Sequence, residues 1–300
     1  MIWVNQILQG VLLGGYYAML ACGLSLMFGV MRIINLAHGS LAVVAAYLVW
    51  VVANRLHFSP FLGLALVLPC MALAGWLLQR LVFERSLGAG ELVPLLSTFG
   101  LAVVLDNSMF QTFGADSRSL APNIGDLAWN SWGVTSQIYV GQLPLLTFVV
   151  AVALLGGLHL FLLRTPMGRS VRATTEDPDT AELVGIDTRK VYGFAAAASL
   201  VAVGFAGTFL AMRAAFDPYA GPAQLIFAFE AIVIGGTGSL WGTLVGGVVL
   251  GVAQNLGAQV SPQGFLVAGH AAFLAVLALR FFAGGRGLRS LLRIPRRPAA

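Results

Sequence analysis

Charge-free apolar runs about twenty residues long recur along almost the whole chain, and they confine it to a narrow set of folds. Residues 7–30, for example, hold no Asp, Glu, Lys or Arg. A helix rises about 1.5 Å per residue, so roughly 20 residues cross the hydrocarbon core of a bilayer. The runs are continuous rather than alternating, which argues against a membrane β-barrel. Composition points the same way: 58% of the 300 residues are hydrophobic and 10% charged, where a soluble domain carries roughly 25% charged residues. We expect an all-α polytopic membrane protein forming one transmembrane domain over residues 1–300. About eight to nine segments would cross the membrane, some of them short or broken.

The runs are interrupted in informative places. Gly10 and Gly14 stand four apart, which suits a packed helix face, although glycine is common throughout transmembrane helices. Arg32, Asn35 and His38 then follow in quick succession, closed by Gly39. Polar groups and irregular backbone survive in hydrocarbon only when buried in protein or facing a water-filled route. Residues 32–39 therefore form either a plain short loop or a broken segment lining a translocation path. The second span ends near Ala53, and others are expected over residues 61–81, 92–113, 140–163 and 191–212. Asp106, beside Asn107, falls late in the fourth span, either as an intramembrane functional carboxylate or as an interfacial one. His159 in the fifth reads as an interior or interfacial side chain. Residues 114–138 suit an ordered surface loop, with Trp129 and Trp132 as interfacial aromatics. Residues 223–255 read as two short helices split near 235–239, with small-residue spacings at Gly242/Gly246 and Gly247/Gly251. A last span covers residues 265–282, and a basic tail follows at 284–300. Cys22 and Cys70 lie in apolar runs and read as small buried hydrophobes rather than a disulfide. The N-terminus lacks a basic region, so no cleaved signal peptide is expected.

A net charge of +5 would suggest nucleic acid as the partner of a soluble protein. Here the basic residues orient the chain instead, through the excess of Lys and Arg on cytoplasmic loops. If residues 165–190 face the cytoplasm and the intervals alternate, Arg32, Arg80, Arg85, Arg164, Arg169, Arg172, Arg189 and Lys190 lie inside. Splitting 223–255 into two crossings adds Arg280, Arg286, Arg289, Arg293, Arg296 and Arg297, which places 14 of the 17 basic residues inside. The N-terminus is then outside and the C-terminus cytoplasmic. An unbroken helix through 223–255 would strand the basic tail on the wrong side.

Residues 165–190 form the longest charged interval, a polar island between two apolar runs. Asp177 can cap a helix that begins at Pro178, where the missing amide proton leaves nothing unsatisfied. Gly185 can close that helix and Asp187 can cap the span that follows. Arg169, Arg172, Glu176 and Glu182 would decorate its surface. Such a bracketed helix could present a shaped surface to a soluble partner or be no more than a structured loop.

Three blocks of the sequence resemble the branched-chain amino acid ABC transporter permeases of the LivH type. MGRSVRATTEDPDTAELVGIDTRKVYGFAAAASLVAVGFAG is similar to their cytoplasmic coupling region and the following helix. GLSLMFGVMRIINLAHGSLAVVAAY resembles their N-terminal signature, matching at Asn35, Ala37, His38 and Gly39. IVIGGTGSLWGTLVGGVVLG resembles their C-terminal glycine-rich signature at Gly235, Gly236, Gly238, Ser239, Gly242 and Gly246. The resemblance implies a multi-pass bacterial inner-membrane subunit of an importer working by alternating access. It would pair with a second related permease, two cytoplasmic ATP-binding subunits that hold ATP-Mg, and a periplasmic solute-binding protein. Coupling to the ATPase would then fall to Arg169, Arg172, Glu176, Asp177, Pro178, Glu182 and Gly185. The 35–39 break and the 235–238 turn would face each other along the path. Departures are Glu230, where the family usually carries an apolar or small residue, the segment FFAGGRGLRS, and the loosely similar 114–138 loop. Glu230 could recognise an ammonium or amide group, or pair with a polar neighbour.

No enzyme site emerges and no cofactor is expected in this chain. GGTGSLWG lacks the Gly-Lys-Ser/Thr ending that holds phosphates. The four histidines show no metal-ligand spacing, and no serine sits in a nucleophile elbow. Rival readings are an importer of urea, short amides or another small amphipathic solute, an ion-coupled secondary transporter built around Asp106 and Glu230, and a channel or structural subunit. No second polar cluster supports ion coupling.

Overall fold

The computed structural model describes residues 2–87, 90, 92–135 and 138–283. Helix α1 runs without interruption over Ile2–Met31. It ends at Arg32, whose φ of 56° turns the backbone back toward the bundle. Helix α2 covers His38–Arg55. Ser59 caps α3, Pro60–Leu78, which passes through one π-helical turn, Gln79–Phe83, into α4, Glu84–Leu87. Helix α5 spans Leu92–Phe113, and a 3-10 turn at Ala121–Ile124 leads to the short α6, Asp126–Trp129. Strands β1, Ser131–Thr135, and β2, Ile138–Gly141, form an antiparallel hairpin in which Trp132 pairs with Val140 and Gly133 with Tyr139. Then come α7, Gln142–Arg164, α8, Pro166–Glu176, α9, Pro178–Leu183, and α10, Thr188–Arg213. The chain continues through α11, Gly221–Gly235, α12, Leu240–Val260, and α13, Gly264–Ala283.

Seven helices among the described residues are long and apolar enough to cross a membrane: α1, α3 with its extension to Ser86, α5, α7, α10, α12 and α13. Their burial divides them by role. The apolar window of α1 is 83% buried and that of α10 is 72%, against 6% for α13. Helices α1 and α10 are thus the axis of the bundle, and the outer helices turn apolar faces to lipid, as apolar helices without a polar side must. Helix α1 packs closely on α12 because Gly10 and Gly14 meet Gly247 and Gly251: a Cβ on Gly10 would stand 2.5 Å from the Cα of Val252. The expected small-residue face of the first run and that of residues 240–255 are two sides of one contact.

Contacts at the helix ends define two ends of the molecule. Asn5 and Gln9 bond to the backbone of Tyr139, and Gln6 bonds to Gln259, so the start of α1, the hairpin and the end of α12 share one end. Leu26, Met27, Val30 and Met31 cluster with Val171 on α8 and Val191 on α10, so the end of α1 and the polar island share the other.

Two expectations need correction. Residues 131–135 and 138–141 pair as a short hairpin beside the helices, and Val140 belongs to β2 rather than to the fifth span. The β-branched and aromatic residues there suit a pleated pair. Cys22 is buried but Cys70 is exposed, because α3 turns that face outward. The basic segment 284–300 lies outside the described residues.

Candidate functional site

Helix α2 starts inside the bundle. After Arg32 the chain runs back beside α1, and the His38 imidazole Nε2 reaches the Leu20 carbonyl, mid-way along α1, at 2.8 Å. Asn35 braces this start: its side-chain oxygen accepts from the Ala37 amide at 3.0 Å and its carbonyl from the His38 amide at 3.2 Å. The Leu36 amide donates to the Thr98 hydroxyl of α5 at 3.1 Å. The start of α11 meets the start of α2 here. A Cβ on Gly39 would overlap the Gly221 carbonyl, and one on Gly221 would stand 2.7 Å from the Ser40 hydroxyl. Only glycines allow two helix beginnings to touch this closely.

Asp106 of α5 completes this centre. It is buried beside Ser40. Asn35 Nδ2, His38 Nδ1 and Asp106 Oδ1 are buried without a protein partner. Such atoms cost about 1–3 kcal/mol each if left dry, so their concentration marks a place where water or a polar solute would be accommodated. Residues 32–37 are thus irregular backbone whose end, at Asn35 and His38, is buried within the bundle.

The 235–238 turn does not face Gly39. Gly235 packs on the Gly242 and Gly246 backbones, and Gly238 lies beside Gly29 of α1. Ile34 beside the break and Thr237 of the turn border a small apolar cavity of about 140 Å³ with Phe28 and Ile232. Turn glycines Gly236 and Gly238 have φ of 99° and 81°, which end α11 and reverse the chain. Glu230 has a protein partner: its carboxylate lies 2.5 Å from His270 Nδ1 of α13, while Oε2 is unpartnered.

The island is built by side-chain caps. The Thr165 hydroxyl accepts from the Gly168 amide at 3.0 Å and starts α8 at Pro166. Asp177 accepts from the amides of Asp179 and Thr180 at 3.1 and 3.2 Å and starts α9 at Pro178. Gly185, at φ 86°, closes α9, and Asp187 accepts from the Lys190 amide at 3.2 Å to start α10. The Thr180 hydroxyl, with its amide, holds the Asp177 carboxyl below the usual aspartate range, and Lys190 does the same for Asp187. The Thr188 hydroxyl donates to Glu182, and Arg189 pairs with Glu84 of α4 at 3.3 Å. Arg172 donates to the Leu162 carbonyl, tying α8 to α7. At the tip, Leu183 and Val184 are 87% and 73% exposed.

The family model described as the branched-chain amino acid transport system permease component matches residues 6–283. The chain belongs to this family. The permease is 29% identical over 274 residues to the high-affinity branched-chain amino acid transport permease BraD of Pseudomonas aeruginosa, covering 86% of this chain and 87% of that one. It is 29% identical over 273 residues to LivH of Escherichia coli K12, covering 85% of each. The probable LivH of Methanocaldococcus jannaschii is 29% identical over 287 residues, covering 91% of this chain and 88% of its own. No solved structure matches this chain. The permease is therefore a multi-pass inner-membrane transport subunit and not a catalytic one. Among the described residues, no group of three or more His, Cys, Asp or Glu side chains could hold a metal ion.

Several residues around these features were not foreseen. Gly221 gave no signal, because Ala-Gly-Pro reads as an ordinary turn. His270 is a lone histidine in an apolar run, and nothing local pairs it with a residue 40 positions away. Leu183 and Val184 could have been found as two apolar residues at the end of a short capped helix.

Proposed function

We propose that the permease imports branched-chain or related amino acids by alternating access, driven by ATP hydrolysed on partner subunits. The observation that carries this reading is the build of the island. Helices α8 and α9 form one capped unit bonded to α7 and α10 on either side, with Leu183 and Val184 bare at its tip. A surface so braced can transmit a push from a docked ATP-binding subunit into both spans rather than absorb it. Arg169, Arg172, Glu176 and Glu182 supply charge for the contact, while Asp177, Pro178 and Gly185 hold its shape.

In this reading the island end is cytoplasmic, the hairpin end and N-terminus are periplasmic, and the C-terminus is cytoplasmic. Counting α2 and α11 with the extended segments that precede them, about nine segments then alternate across the membrane, in keeping with the positive-inside rule. The path runs beside the centre formed by Asn35, His38, Gly39, Ser40 and Asp106. There the opposed starts of α2 and α11 carry partial positive charge suited to a carboxylate. Glu230 of the same α11 is held by His270, and Gly235, Gly236 and Gly238 form the turn that lets α11 move against α12. A second related permease completes the membrane part, and a periplasmic solute-binding protein delivers the cargo.

The test removes residues 177–185 from the assembled importer. The expected result is loss of both co-purification of the ATP-binding subunits and ATP-driven uptake. If both survive, the island is not the coupling element.

A further inference from the structure

A cavity of about 430 Å³ opens at the island end between α1, α7, α8 and the start of α12. This falls in the roughly 300–1,000 Å³ range of small-molecule sites. It joins Gly238 of the turn and Trp241 at the start of α12 to Arg172 and Glu176 of α8. Its floor carries a specific polar signal. Ser25 of α1 lines the cavity, is 1% exposed, and its hydroxyl has no hydrogen-bond partner. Leu26, Val30, Leu162 and Leu240 supply an apolar wall. The Trp241 ring also lines it, in an edge-on contact with His159 at 6.0 Å between ring centres.

Arg172 and Glu176 are one helical turn apart, on the same face of α8. Neither forms an ion pair among the described residues. Arg172 spends one N–H on the Leu162 carbonyl, and its other guanidinium nitrogens remain for a carboxylate. A cation and an anion on one face of α8, beside an apolar wall, match a small zwitterion with a compact aliphatic side chain. The ammonium would meet Glu176, the carboxylate Arg172, and a polar ligand atom the waiting Ser25 hydroxyl.

We propose that this cavity is a second, regulatory site for a free aliphatic α-amino acid. Bound there, the amino acid ties α8 to the turn before α12 and holds the island in one position. A ligand that binds one conformation better shifts the population toward it. Accumulated amino acid on the island side would therefore slow further ATP-driven import. The inference rests on the orientation and coupling proposed above. The ethanolamine headgroup of a phospholipid carries a similar ammonium beside an acidic oxygen, so the two sources have to be separated by experiment.

The test uses the complete complex of permease pair and ATP-binding subunits, without the solute-binding protein, in nanodiscs of phosphatidylcholine and phosphatidylglycerol. Binding of radiolabelled L-leucine is measured by equilibrium dialysis. The expected result is saturable binding of one leucine per copy of this chain, weakened at least tenfold by Ser25→Val and by the exposed Glu176→Gln. Leucine should also depress ATP hydrolysis of the wild-type complex over the same concentration range. Absence of saturable binding overturns the proposal, as does binding unchanged in both variants. Loss of leucine binding when phosphatidylethanolamine is added would assign the cavity to lipid and equally overturn it. Uptake by the full importer with its solute-binding protein separates the two levels. If uptake itself fails, the proposed function falls; if uptake proceeds without leucine binding at the cavity, only this inference does.

Discussion

Glu230 shows how much a single buried charge depends on one neighbour. Its carboxylate is buried on α11, and His270 of α13 supplies its side-chain contact among the described residues. His270→Ala would leave that carboxylate unpaired, a loss of about 1–3 kcal/mol, read as a lower melting temperature of the purified permease. Adding Glu230→Gln should recover most of it, because a neutral amide needs no counter-charge. A His270→Ala protein that melts like wild type would show that the pair does not hold α13 to α11. The island caps respond to pH in a definite direction. Asp177 and Asp187 have folded values held below the ordinary 3.8. Such groups stabilise the fold above their unfolded value, and the contribution is lost as pH falls through the lower folded value. Exchange protection of the Thr180 and Lys190 amides should therefore be flat from about pH 7 to 5 and fall only below the ordinary aspartate range.

Helix contacts in this bundle depend on missing side chains more than on specific ones. In lipid no hydrophobic force draws apolar helices together, so close packing has to come from small residues at the seam. The seam between α1 and α12 is one such case, since a Cβ on Gly14 would overlap the Cα of Val248. Gly14→Ala should force α1 away from α12, an overpacking loss of about 1–3 kcal/mol, seen in thermal unfolding. Gly100→Ala on α5 is the control, because nothing lies within 4 Å of a Cβ there. It should be neutral or stabilise by up to about 1 kcal/mol through helix propensity. Equal losses at both positions would mean that the seam is not what limits stability.

At the scale of the whole molecule, the two ends differ in build as well as in charge. One carries the hairpin and the 3-10 turn, the other a capped helical unit rich in charge. Site-directed labelling with a membrane-impermeant maleimide tests which end faces out. In a Cys70→Ala background, with Cys22 buried, Asp116→Cys near the hairpin should label in intact spheroplasts. Asp179→Cys on the island should label only after permeabilisation. The opposite pattern would reverse the orientation proposed here.

The sequence by itself determined the solvent and most of the elements. Charge-free runs require lipid, and α5 begins and ends at the expected residues, 92 and 113. Local punctuation was equally legible: Asp177, Pro178, Gly185 and Asp187 act within a few residues of themselves, so their spacing carries the geometry of the island. The split near 235–239 was readable for the same reason. Only the tertiary structure decided what lies across from what. That Gly39 meets Gly221 rather than Gly235, that Glu230 meets His270, and that Ser25 shares a cavity with Glu176 depend on how helices cross. A crossing is set by the summed packing of many small side chains, and no short stretch of sequence encodes it.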